Sequence, residues 1–244
     1  MNNQRFDKGC TIEEILSQIN IDELSKDLPC FKKMGYLTSD YKEQYQDAYD
    51  FFEKVNSNVA LNGIDTKEDN RIKGKALEDL VSLLFIATGG YYEVYRNAKN
   101  GTNEVDLILK FSGKGKHLAQ VLKHSKIICE CKNYKSSISV TYVGKFCSLM
   151  QTTNCNLGIM FSYNGFSGES WGSAKGLTKK IYLLKERPED KLYILEFKKE
   201  DFCSILKGKS IFDILDDKCM ELELGVDDIT KYITEHPNEK ELEM

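Results

Sequence analysis

Apolar residues recur along this chain at two spacings, and the change from one to the other separates helices from strands. "GKALEDLVSLLFIAT" carries Leu77, Leu80, Val81 and Leu84 at i, i+3, i+4 and i+7, a stripe that predicts an amphipathic helix ending near Gly89-Gly90. Glu78 lies about 100° around from Leu77, at the edge of that stripe. Beyond the glycines the period drops to two. "YYEVYRN" alternates, and so does "NEVDLILKF", with Val105, Leu107, Leu109 and Phe111 on one face and Glu104, Asp106, Ile108 and Lys110 on the other. A third strand, "KIICECKNY", sets Ile127, Cys129 and Cys131 against Ile128, Glu130 and Lys132.

A helical stripe returns in "VTYVGKFCSLMQ" through Val143, Phe146, Cys147 and Met150, and "LGIMFSY" then has the apolar run of a buried strand. The helix between the third and fourth strands makes a crossover, which predicts that those two are parallel, whereas the earlier strands form a meander. A further helix is expected around "GESWGSAKGLTKK", strands at "KIYLLKE" and "KLYILEF", and a helix in "KKEDFCSILKG" ending at Gly208. Upstream, residues 11–61 read as helical: "TIEEILSQI" has capping-box spacing, and Tyr and Phe recur through "DYKEQYQDAYDFFEKVNSNVAL". "NGIDTKEDN" follows as a polar linker, and residues 226–244 carry too little apolar content for much core. The expected fold class is α/β, a mixed sheet flanked by helices with an N-terminal helical extension.

Charge sharpens this division. The chain of 244 residues has a net charge of −4, but residues 1–70 hold 8 basic and 14 acidic residues, residues 71–180 hold 16 and 7, and residues 181–244 hold 10 and 17. A basic core of 71–180 between acidic extensions at 1–70 and 181–244 suits a polyanionic partner, nucleic acid being the commonest. A solvated lysine-rich surface is the alternative that charge alone leaves open. No apolar run approaches the roughly 18 residues of a membrane span, and "MNNQRFDKGC" lacks the apolar stretch of a signal peptide. A soluble cytoplasmic protein is expected. The eight cysteines form no CxxC pair, and a zinc site from Cys129, Cys131, His117 and His124 has the wrong spacing for a finger.

The polar rows of two strands carry the candidate chemistry. If "NEVDLIL" and "IICECKN" pair antiparallel, Asp106 comes to lie beside Glu130 and Lys132. Two adjacent carboxylates repel unless a cation joins them, and hard oxygen ligands suit Mg²⁺ or Mn²⁺. A lysine in the same cluster can offset charge building on a phosphate, which makes this a constellation able to cleave phosphodiesters. Taken alone, Glu130 and Lys132 would be an ordinary surface pair worth under about 1 kcal/mol.

The ordered set "ALEDLVSLLFIATGGYYEV", "NEVDLILK", "CECK" and "LGIMFSYNGFS" resembles the PD-(D/E)xK restriction-endonuclease-like superfamily, and within it the Mrr-type catalytic domain. The resemblance spans about residues 73–180. It implies a metal-dependent DNA endonuclease with Asp106 and Glu130 as metal ligands, the backbone carbonyl of Cys131 as a third, Lys132 as the catalytic lysine and Glu78 as a supporting acid. Glu104-Val105-Asp106 replaces the family's nominal Pro-Asp, so Glu104 competes with Asp106 for its role; Asp106 is preferred because it directly precedes "LIL". Mg²⁺, with Mn²⁺ as a substitute, is the implied cofactor, DNA the partner and a homodimer the assembly. Lys114 and Lys116, in the basic stretch between the two site strands, and Lys135 and Lys145 are the expected DNA contacts. A structure-specific or repair nuclease, or a DNA-binding or assembly protein without turnover, would share this core.

Overall fold

A computed structural model describes residues 35–62, 66–89, 91–100, 103–112, 126–168 and 170–232. Its helices are α1 (Lys42–Asn62), α2 (Lys67–Ala87), α3 (Val140–Thr152), α4 (Ala174–Leu183), α5 (Lys199–Leu206) and α6 (Ile211–Leu224); its strands are β1 (Tyr92–Asn100), β2 (Asn103–Phe111), β3 (Lys126–Cys131), β4 (Leu157–Phe161) and β5 (Tyr193–Phe197). The strands form a single sheet in the order β1-β2-β3-β4-β5. Its first two pairings, β1 with β2 and β2 with β3, are antiparallel, and the next two are parallel. This is the mixed α/β sheet that the spacing of apolar residues predicts, with the crossover through α3 in its expected place.

Helices cover both faces of the sheet. On one, α1, α2, α5 and α6 pack over Leu107, Leu109, Ile127, Cys129, Ile159, Phe161, Leu195 and Phe197. On the other, α3 and α4 pack over Ile128, Met160 and Ile194. Every residue of β4 is buried, as a central strand facing two helical layers requires. Val105 departs from its expected row and joins the second cluster, beyond the point where β2 is paired with β3.

The first face is anchored by an aromatic cluster in which Phe197 and Phe202 lie 4.8 Å apart, Phe161 and Phe197 5.1 Å, and Phe52 and Phe202 5.7 Å, measured between ring centroids. These contacts join α1 and α5 to the two parallel strands that follow β3. On the second face α3 comes so close to β4 that a Cβ on Gly158 would stand 2.6 Å from a ring carbon of Phe146 and 2.7 Å from the sulfur of Met150. Only glycine permits that approach.

Two expectations need correction. "KIYLLKE" is not a strand: Lys180–Leu183 is the last turn of α4, which buries Ala174, Thr178 and Ile181 at helical spacing and leaves Leu183 and Leu184 exposed. A short apolar run fits both periods, and burial on the sheet selects the helical one. Nor does that helix take in "GESWGS", since it begins only at Ala174, behind Ser173, whose hydroxyl accepts a hydrogen bond from the Gly176 N–H. The pattern also gave no sign of α6, which buries Ile211, Ile214, Leu215 and Leu222. "TIEEILSQI" lies outside the described residues. Among those described, no helix is long and apolar enough to cross a membrane.

Gly158→Val should lower unfolding free energy by about 1–3 kcal/mol through overpacking against α3, and Phe202→Ala by about 3–5 kcal/mol through the cavity it leaves, both read from urea titrations. An unchanged midpoint for Gly158→Val would show that α3 does not rest on that strand.

Candidate active site

The site grows from three elements whose relative placement is fixed by apolar contacts. At the start of α2 the Thr66 hydroxyl accepts from the Asp69 N–H and the Asp69 carboxylate accepts from the Thr66 N–H, a reciprocal cap that sets where the helix begins. From there Leu77, Leu80, Val81 and Leu84 are drawn into the first core. That rotation leaves Glu78 and Asp79 partly buried at the rim. A second tie holds α2 to the segment after β3: the side-chain amide of Asn133 donates to the Lys73 carbonyl at 2.9 Å, within a buried contact.

Register then decides what β2 and β3 bring together. The two pair with Leu107 opposite Cys129, Ile108 opposite Ile128 and Leu109 opposite Ile127. One step beyond that ladder, an Asp106 carboxylate oxygen accepts the backbone N–H of Cys131 at 2.7 Å. Lys132 reaches back over the same place, its ammonium 2.5 Å from Glu130 Oε1 and 3.9 Å from Asp106 Oδ2. The side chains of Asp106 and Glu130 are each 16% exposed and that of Lys132 24%, so this is not a solvated surface pair. Asp106, Glu130 and Lys132 form one cluster.

The electrostatics of the cluster are unbalanced toward negative charge. Burial, and next the Asp106 carboxylate, raise the pKa of Glu130 against the opposing pull of Lys132. Glu78 is raised for the same two reasons, and the cations of Arg96 and Lys132 only partly offset them. Burial lowers the pKa of the Lys132 ammonium, but Glu130 and Asp106 together outweigh it and the net shift is upward. Lys132 is therefore held as a cation among three acids. Among the described residues no three of His, Cys, Asp or Glu are grouped closely enough to hold a metal ion by themselves. The donor set nevertheless suits a hard divalent cation, because Mg²⁺ ordinarily takes one or two carboxylates and completes its shell with water and phosphate.

The remaining candidates fall in different places. Cys131 enters the site through its backbone, while its thiol is buried in the first core with a pKa well above the usual range, burial being the main cause. Glu104 stands in β2 opposite Lys99, and the contacts to Cys131 and Lys132 are made by Asp106. Lys135 is exposed three residues past Lys132; Lys145 is exposed on α3, its ammonium 5.8 Å from the centre of the Tyr142 ring. Lys114 and Lys116 lie outside the described residues. Sequence reasoning missed Arg96, whose guanidinium stands 2.7 Å from Asp79 and 3.9 Å from Glu78. It also missed Asn133. The alternation of "YYEVYRN" marked the strand that carries Arg96, but no spacing ties that strand to α2.

The restriction endonuclease family of the Mrr catalytic type matches residues 70–188. No curated protein and no solved structure matches the chain.

A site with uncompensated acid should cost stability. Glu78→Gln removes a carboxylate whose folded pKa is raised, so in chelator at pH 7–8 it should stabilise the protein by roughly 0.5–1 kcal/mol. Because a raised folded pKa means that the folded state binds the proton more tightly, the wild type recovers as pH falls through that pKa. The gap between the two proteins should close in acid. Denaturant titrations at several pH values check this, and a gap that widens in acid would contradict it.

Proposed function

Residues 70–188 belong to the Mrr-type restriction-endonuclease family, and from that premise we propose that the protein hydrolyses DNA phosphodiester bonds with a divalent metal ion held by Asp106 and Glu130. The observation that carries the reading is the convergence on adjacent strands of two partly buried carboxylates and one lysine, with Lys132 2.5 Å from Glu130. Each residue then has a task. Asp106 is aimed by the Cys131 N–H, which holds one of its oxygens and leaves the other for a cation. Glu130 supplies the second carboxylate. The Cys131 carbonyl is assigned as the third protein ligand and Glu78 as the acid that orients water at the rim. A bound Mg²⁺, or Mn²⁺ in its place, supplies Lewis-acid polarisation of the phosphoryl oxygen and a lowered pKa for bound water. Lys132, kept protonated by its neighbours, faces the negative charge that develops on the phosphate as water attacks and the ester oxygen leaves.

The cations of the basic segment serve to hold the substrate. Lys114, Lys116, Lys135 and Lys145 are assigned to phosphates rather than bases, giving salt-dependent affinity with little sequence information. Cutting both strands of a duplex takes two such sites, so the working form is assigned as a homodimer.

Supercoiled plasmid, methylated and unmethylated, tests the reading in Mg²⁺, Mn²⁺ and chelator. Wild type should convert it to nicked and linear forms only with metal present, and Lys132→Ala or Asp106→Asn should slow this by roughly 100-fold or more. Binding without cleavage on every substrate would contradict the enzymatic assignment.

A further inference from the structure

Beside Glu78 a groove of about 630 Å³ runs along the flank of α2 and the middle of β1, lined among others by Arg71, Gly74, Lys75, Glu78, Arg96 and Asn97. Three of these side chains are cationic. Arg71 is paired with Glu68, its two contacts measuring 2.6 and 2.9 Å. Lys75 and Arg96 share one partner: Asp79 has Lys75 2.7 Å from one carboxylate oxygen and Arg96 2.7 Å from the other. All of these groups are at least 40% exposed. Exposed pairs of this kind are weakly held, and a phosphate presents a guanidinium with the same planar pair of acceptors as a carboxylate.

Two further features point the same way. Gly74 lies inside α2, where glycine is unfavourable, and a Cβ added there would meet nothing within 4 Å. Core packing therefore gives no reason for the missing side chain. It leaves the groove open one helical turn before Glu78. The groove adjoins the candidate site, because Glu78 lines it with Arg96 3.9 Å away, and Glu78 in turn lies within the field of Asp106.

We propose that this groove is the track of the DNA backbone on the α2 side of the site. Arg96 and Lys75 each bind a phosphate oxygen there, and Asp79 is the internal counterion that they exchange for it. The inference rests on the nuclease reading and adds to it a substrate path that includes none of the lysines assigned from the sequence.

Binding of a fluorescently labelled DNA duplex, followed by anisotropy in chelator over a range of salt concentrations, tests the exchange. Arg96→Gln should weaken binding by about five- to tenfold and reduce the slope of log K against log salt by about one. Asp79→Asn should strengthen binding by about threefold and steepen the slope, since it frees two cations. Gly74→Glu should weaken binding while Gly74→Ala leaves it unchanged, which keeps the test open if a change at Asp79 harms folding. Asp190→Asn, in the turn before β5, and Lys207→Ala, directly after α5, control for net charge and should change little. Arg96→Gln and Asp79→Asn break the same ion pair, so a purely structural role would move both variants in one direction, and that result overturns the proposal. Wild-type nicking with unaltered binding in Arg96→Gln, Asp79→Asn and Gly74→Glu would overturn it alone; a wild type that neither binds nor cuts DNA would overturn the nuclease reading as well.

Discussion

The pairing of Leu107 with Cys129 decides which side chains of β2 and β3 can meet. A strand's side chains alternate with period two, so a slip of one residue would exchange every inward position for an outward one. Here both faces of the sheet are covered, with Leu107, Leu109, Ile127 and Cys129 in one core and Ile128 in the other. A slipped register would drive Asp106 or Glu130 into apolar packing without a partner, which is far costlier than any contact the slip could gain. The hydrophobic layers thus specify the register, and the register brings Asp106 and Lys132 within 3.9 Å of one another. The placement of these side chains is a consequence of packing beside them.

That arrangement is not the most stable one available to these strands. Burial, and next the Asp106 carboxylate, raise both Glu130 and Glu78, and the cations of Lys132 and, at Glu78, Arg96 only partly offset this. A fold selected for stability alone would place apolar residues here or pair each acid with its own cation. Local conflict of this sort, surrounded by consistent packing, is what a working site is expected to look like. The amide of Asn133 adds a mechanical element, since it fastens α2 to the segment that directly follows Lys132.

How far the sequence discloses such a molecule depends on the range of the interaction. Alternation in "NEVDLILKF" and "KIICECKNY" disclosed the strands and the polar rows, because period two is a local property and both strands lie under packed layers. The stripe of α2 placed Glu78 at its rim for the same reason. "KIYLLKE" misled because a run of a few apolar residues satisfies both periods until a neighbouring surface chooses between them. The contacts between Arg96 and Asp79, 17 residues apart, and between Asn133 and Lys73, 60 residues apart, depend on how α2 is rotated against the sheet. The stripe of α2 fixes which of its faces turns inward but not which strand lies beside it, so the groove beside Glu78 had no signature in the sequence.

Asp106 and Glu130 are proposed as the protein part of a cation site, assembled before metal or DNA arrives. Titration calorimetry of Mn²⁺ into the full-length chain, without DNA, measures this directly. Wild type should bind at Asp106 and Glu130, and Asp106→Asn should lose that binding while keeping its fold by circular dichroism. Equal Mn²⁺ affinity and stoichiometry in the two proteins, or no binding to the wild type at millimolar metal, would contradict the account.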